Sequence, residues 1–339
     1  MDDTERYLHW LRAHFSAGGP TLDTVLTALA EGRPAPVSRE TGRGVARDLD
    51  WLAGDNRFLV RLDDDDYPAL LREIDQPPPL LFGIGNRSLL RGVKLAMVGS
   101  RRASLESREV ARSFAVEFAR AGFLIVSGMA QGIDGASHQG ALDAGSPTIA
   151  VLGHGIDGVY PRFHSRLKEQ IAGTGMVLSE FPVGMPPLPG NFPRRNRVVT
   201  GFAVGTVVVE AAVRSGSLVS ARLAMAQGRE VFAIPGPVRA GRHAGCHLLI
   251  RDGAHLLECP SDAFVELGSL VDFALQSAPA RVAASGKPDE LLDLIGTGPV
   301  TLAALVDATG RSAADLAGAL LELELAGAVS RDAGGYRMA

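Results

Sequence analysis

An α/β fold, a mostly parallel sheet with helices on both faces, is predicted by three observations along one stretch. An apolar run, Leu95 to Val98, stops abruptly at Gly99-Ser100-Arg101. A helical pattern follows, with Val110, Phe114, Ala115 and Phe118 on one face and a close at Gly122. A second apolar run, Phe123 to Val126, then ends in Ser127-Gly128. Apolar runs bounded by turn residues read as buried parallel strands, and strand, helix, strand in this length is a βαβ unit with a right-handed crossover. Its ligand sites lie outside the carboxyl ends of the strands, where both small-residue turns fall. Such turns let backbone N–H groups approach an anion, the next helix adds its positive end, and Arg101 can fork onto it. The pattern is that of a phosphate site.

At 339 residues, 46% of them hydrophobic and with a mean hydropathy of +0.12, the chain can bury a sizeable core. No segment has the long uncharged run of a membrane helix, and the acidic opening MDDTERYLHW lacks the order of a secretion signal. Cys246 and Cys259 form no spacing framework, so a reducing cytoplasm is the expected compartment. The net charge of −4 is unevenly spread: from Lys287 onward eight acidic residues face four basic ones, so the preceding part is neutral and the tail acidic. Lysine occurs only at 94, 168 and 287, which leaves arginine, the better residue for planar phosphate recognition, with nearly all the positive charge. A GC-rich genome would produce the same bias.

Residues 1–60 read as a small helical module of the SAM or helix-hairpin-helix kind, with Leu22, Val25, Leu26 and Leu29 on one face. A strand across Asn56 to Leu62 leads into Asp63 to Asp66, a like-charge run expected to be a solvated turn rather than a metal site. A short helix around Leu70, Leu71 and Ile74 is stopped by Pro77-Pro78-Pro79. The α/β domain is expected over residues 61–277. After its first βαβ unit come a helix from Gly132 through Ala144, a strand at Ile149 to Leu152, and Gly153-His154-Gly155-Ile156-Asp157-Gly158. That spacing matches a dinucleotide fingerprint, but Val159-Tyr160-Pro161 follows where a helix should begin, which argues against dinucleotide binding. Strands at Met176 to Leu178, Val204 to Val209 and Val231 to Ile234 continue the sheet, and Ala254 to Leu257 is an edge strand.

Two further segments carry chemistry. Phe192-Pro193-Arg194-Arg195-Asn196-Arg197 combines phosphate donors with a base-stacking ring; the competing reading is a core phenylalanine and a solvated helix start. Ser215-Gly216-Ser217 repeats the arrangement of small residues between strand and helix and forms a further anion cradle. Glu210, at a strand end, is either a general base or a partner for nearby arginines. His243 and His247 have the spacing of a zinc pair, but Gly245 interrupts and no second cluster supplies ligands, so no metal is expected. Residues 278–288 read as a linker. Residues 289–339 show three helical patterns and a terminal hairpin, a winged-helix-like module whose third helix carries Asp315, Glu322 and Glu324 without a basic residue. Such a helix is not expected to enter a DNA major groove.

Taken in order, Val98-Gly99-Ser100-Arg101, Ser127-Gly128-Met129-Ala130-Gln131-Gly132-Ile133-Asp134, Tyr160-Pro161, Ser179-Glu180, Phe192-Pro193-Arg194-Arg195-Asn196-Arg197, Arg214-Ser215-Gly216-Ser217 and Pro235-Gly236 resemble the DprA/Smf family of DNA-processing proteins, from about Tyr67 to Leu257. The resemblance implies a Rossmann-like domain that binds single-stranded DNA, pairs as a homodimer and delivers the strand to RecA during natural transformation, with no chemical reaction and no cofactor. It places phosphate binding at Gly99, Ser100, Arg101 and Arg102. The strand pocket would be formed by Ser127, Gly128, Gly132, Phe192, Arg194, Arg195, Asn196, Arg197, Ser215, Gly216 and Ser217. Family members often carry a lysine shortly before the FP-x-RNR motif; here the stretch is Pro186-Pro187-Leu188-Pro189-Gly190, with Arg194 as the candidate substitute. The rival class is a Rossmann-like nucleotide phosphoribohydrolase using Glu210 and Arg195 or Arg214 on a nucleoside monophosphate. Its Pro-Gly-Gly-x-Gly-Thr turn is replaced here by Glu210-Ala211-Ala212-Val213-Arg214-Ser215. A dinucleotide-binding regulator is the third alternative.

Overall fold

The computed structural model describes residues 2–268 and, beyond them, residues 294–295, 300–309, 316, 320, 323, 329–332 and 335–338. The chain divides into two compact units, Met1–Ala278 and Pro279–Ala339.

The first unit is built on nine strands: β1 (Arg57–Arg61), β2 (Leu80–Gly85), β3 (Lys94–Val98), β4 (Leu124–Ser127), β5 (Thr148–Leu152), β6 (Met176–Ser179), β7 (Gly205–Val208), β8 (Glu230–Ala233) and β9 (His255–Leu256). They lie in the order β1-β2-β6-β5-β4-β3-β7-β8-β9. From β6 to β9 all pairs are parallel, while β1 and β2 add an antiparallel end. The sheet therefore begins at Arg57, inside the segment expected to belong to the N-terminal module. β3 is fully buried, and its residues alternate between two cores. Leu95 and Met97 join Phe114 and Phe118 of α5 (Leu105–Arg120) and Ala141 of α6 (Ile133–Asp143). Ala96 and Val98 join Val198 and Phe202 around α8 (Asn191–Gly201), Leu218 and Ala221 of α9 (Ser217–Ala226), and Leu249 of α10 (Ala244–Arg251). Fully burying a leucine, valine, methionine or phenylalanine side chain contributes about 1.5–3 kcal/mol. Two-sided burial is why the strands read as continuous apolar runs.

Helices α1 (Asp3–His14), α2 (Leu22–Ala30) and α3 (Arg39–Leu52) are capped by Asp2, Thr21 and Ser38. Their apolar faces pack against the sheet: Tyr7, Leu11, Val25 and Trp51 share one cluster with Phe82 and Leu152. Arg12 fixes the contact. Its guanidinium donates to both oxygens of buried Asp48, at 2.8 and 2.6 Å, and to the Val183 carbonyl, while Asp48 accepts the Val183 amide. The aspartate run is not simply solvated, because Asp64 and Asp66 accept Arg87, and Asp64 also accepts Arg61. Two short segments complete the unit, α4 (Ala69–Arg72) and α11 (Pro260–Leu267).

In the second unit, α12 (Leu302–Thr309) and the antiparallel pair β10 (Val329–Asp332) and β11 (Gly335–Met338) surround a small core of Ile295, Leu305, Leu316, Leu320, Val329 and Tyr336. Most of the expected first and third helices, with Asp315, Glu322 and Glu324, and the linker at 278–288 lie outside the described residues.

Candidate nucleic-acid interface

The chain leaves β3 to form β4, β5 and β6 on one side, then returns to lay β7 against the other side of β3. In an open parallel sheet, ligands bind at such a reversal, outside the carboxyl ends of the strands. A cleft of about 740 Å³ opens there. Gly99, Ser100, Arg101 and Arg102 from the β3 turn form one wall, Arg214, Ser215, Gly216 and Ser217 from the β7 turn another, and Phe192, Arg195 and Asn196 from the start of α8 the third. Helices α6, α8 and α9 all begin at this end without a side-chain cap. Several of their first N–H groups are taken by neighbouring oxygens, Ile133 by the Ser100 carbonyl, Asn191 by the Leu188 carbonyl and Ser217 by the Ser215 hydroxyl, so it is the positive ends of three helix dipoles that converge on the cleft.

The β3 turn is held from β7. The Ser100 amide donates to the Glu210 carbonyl at 2.8 Å, and the Ser104 amide to the Glu210 carboxylate at 3.0 Å. Burial works to raise the Glu210 carboxyl, but hydrogen bonds from the Ser104 amide and the hydroxyls of Ser107, Ser104 and Ser100 outweigh it and hold it below the usual carboxylate range. Glu210 does not line the cleft. Its carboxylate is spent on this turn, which leaves it neither the exposure nor the basicity of a hydrolase base. Gly132, with φ +86°, lets the next turn pass under the first; a Cβ there would sit 2.3 Å from the Ser100 carbonyl oxygen. Arg101 and Arg102 are thereby left exposed at the rim. The Arg101 guanidinium lies 5.0 Å over the Phe192 ring, and Tyr160 leans on that ring with centroids 5.5 Å apart.

The arginines of α8 divide into different roles. Arg195 is buried beneath the cleft, where one terminal nitrogen donates to the carbonyls of Gly128 and Val151 at 2.5 Å each, at the ends of β4 and β5. Gly128 makes this possible, since a Cβ there would meet the guanidinium at 2.5 Å. Burial pushes the Arg195 pKa down to about 10, with Asp134 opposing, so it is charged at neutral pH and supplies positive potential from the floor. Asp134, the one carboxylate lining the cleft among the described residues, is itself buried and accepts the Ala130 amide.

Arg197 and Arg194 depart from the expected strand contacts. Arg197 is buried and donates to Glu180 at 2.6 Å; neither residue lines the cleft. Arg194 shares Glu180 at 3.3 Å, donates to His14 Nε2 at 2.7 Å and lies 4.7 Å over the Phe15 ring. It ties α8 to the N-terminal helices and is not a free substitute for the missing lysine. Ser127 is fully buried with its hydroxyl on the Met97 carbonyl, so it supports the β3–β4 pair rather than facing a ligand. Phe192 is half-buried instead of freely exposed. Conversely, Tyr160 and Arg214 line the cleft without having been assigned to the strand pocket, Arg214 having been a candidate only for the rival nucleotide reading. Their legible signal was position: each follows a predicted strand at its carboxyl end.

The fingerprint-like loop after β5 is filled from inside. Lys168 of α7 (Ser165–Thr174) donates to the carbonyls of Ile156 and Gly158 at 2.6 and 2.7 Å, so the loop turns carbonyls inward to an ammonium instead of amides to a pyrophosphate. His243 and His247 pair with Ser107 and Gly236, and no group of three potential metal ligands occurs among the described residues. No helix among the described residues is long and apolar enough to cross a membrane.

The family model for DNA recombination-mediator protein A matches residues 58–268, and that for the DprA winged helix domain matches residues 276–335. Protein Smf of Escherichia coli is 38% identical over 347 residues, covering 99% of this chain and 91% of its own. DNA processing protein DprA of Streptococcus pneumoniae is 44% identical over 203 residues, 60% of this chain and 72% of its own. A solved structure of the S. pneumoniae DprA superposes with a TM-score of 0.69 at 34% identity, covering 78% of this chain and 99% of that one. DNA processing protein A of Helicobacter pylori, whose structure addresses its single-stranded DNA binding mode, gives 0.56 at 28% identity, covering 65% and 97%.

Proposed function

The chain belongs to the DNA recombination-mediator protein A family, the DprA/Smf proteins, and we propose that it binds single-stranded DNA in the switch-point cleft and delivers the strand to RecA. The observation that carries the reading is the convergence of three uncapped helix starts with Arg101, Arg102 and Arg214 on one cleft. Serial anion cradles suit a polymer, because each turn takes one backbone phosphate. A base between them stacks on the Arg101–Phe192 pair, for both a guanidinium plane and an aromatic ring accept a base face. Duplex, whose bases are already stacked, lacks that contact. Handing the strand to RecA during natural transformation, pairing as a homodimer through the sheet-bearing unit and a cytoplasmic setting complete the proposal.

The test is fluorescence anisotropy of a labelled dT oligomer across a salt series, with duplex as competitor. The expected result is strand-selective binding whose log–log salt slope falls by about 0.7 in Arg101→Ala, the share of one phosphate on a single strand. Equal binding by that variant would remove the β3 turn from the interface. RecA delivery is tested by RecA filament assembly on strands coated with a single-strand binding protein, with and without this chain. No acceleration would refute it.

A further inference from the structure

A second groove begins where the first ends. Arg101 and Arg102 form the rim of the cleft and also line a groove of about 560 Å³ on their other side, toward the start of α7. Arg108 adds a third arginine, and no carboxylate lines the groove among the described residues. At its edge stands Phe163, 66% exposed. Its ring is held edge-on against His164, with centroids 4.7 Å apart. His164 is itself fixed: a carbonyl can only accept, so its Nδ1–H donates to the Met129 oxygen at 3.0 Å. The ring is thus a braced platform beside a basic channel continuous with the cleft.

We propose that the groove is a second subsite for the same nucleic-acid strand, with its backbone crossing Arg101 and Arg102 toward Arg108 and a further base stacked on Phe163. This rests on the proposed single-strand binding, which it extends in site size. Continuity through two shared arginines and the absence of carboxylates favour the strand over an apolar protein segment as occupant. Basic lining tracks phosphates, and an exposed ring accepts any base face.

The experiment uses the full chain and labelled dT oligomers from about 4 to 16 nucleotides, the range of site sizes known for single-strand binders. Wild type, Phe163→Ala, Phe163→Trp and Arg108→Ala are compared, with melting temperatures recorded. Phe163→Ala is expected to bind the shortest oligomers as wild type does and to lose about 5- to 150-fold on the longest. Phe163→Trp should retain long-strand binding, and Arg108→Ala should lower the salt slope on long strands only. Wild-type affinity for every length in Phe163→Ala would overturn the second subsite while leaving the first intact. A loss equal at all lengths with a lowered melting temperature would overturn it too, by making Phe163 structural. Wild type that binds no single strand at low salt would instead sink the underlying reading.

Discussion

Replacing Arg197 by methionine separates a buried support from a strand contact. Arg197 sits three residues after Arg194 on α8, and both guanidiniums meet one carboxylate, Glu180, which is 1% exposed. Removing one partner of a buried ion pair costs about 3–5 kcal/mol, because the remaining charge stays desolvated. Here Glu180 keeps Arg194 at 3.3 Å, so the lower end of about 3 kcal/mol applies. In a unit of this size each kcal/mol moves the melting temperature by roughly 2–4 °C. The sheet-bearing unit should therefore melt about 6–12 °C lower in Arg197→Met, as followed by calorimetry and far-UV circular dichroism. Adding Glu180→Gln removes the stranded charge and should restore part of the loss. Well below the melt, anisotropy with a dT oligomer should show near wild-type affinity, since Arg197 does not line the cleft. An unchanged melting temperature together with lost binding would refute this account and return Arg197 to the strand.

Two other perturbations test the packing behind the site. His138 is fully buried on α6, and because Thr148 spends its proton on the Ile125 carbonyl, the histidine Nδ1–H must donate to Thr148. Burial pushes its pKa down to about 3, so on acidification the unfolded chain takes up a proton first; stability is full above about pH 6.5 and is lost as pH falls. At pH 5 the share of this one group is about 2 kcal/mol, and urea melts at pH 7 and pH 5 should show wild type losing that much more than His138→Gln. Gly132→Ala places a Cβ against the Ser100 carbonyl at a strained φ and should displace the β3 turn. Strand affinity should fall while the salt slope stays as in wild type, because no charge is removed; a reduced slope would point to a lost phosphate contact instead.

The order of strands from Lys94 to Leu256 and the small-residue turns at Gly99 and Ser215 were legible in the residues, whereas α10 runs straight through Gly245, which had argued against a helix there. Those features depend on local pattern: a buried parallel strand must be apolar throughout, and a turn that admits an anion must be small. The uses of individual charges were not legible in the same way. Arg194, Arg195 and Arg197 look alike in sequence, yet one clamps the N-terminal helices, one closes strand-end carbonyls and one answers Glu180. Asp63 to Asp66 looked solvated until Arg87 arrived from beyond β2. Two of the three lysines, Lys94 and Lys168, are buried on backbone carbonyls, which leaves arginine to carry the exposed positive charge of the described residues. By itself the sequence determined the parallel strands and the small-residue turns at their carboxyl ends, but not β2, which reads only as an extended connection after three prolines. Only the tertiary structure decided which arginines face solvent, because a charge is partnered through space by groups that local spacing does not encode.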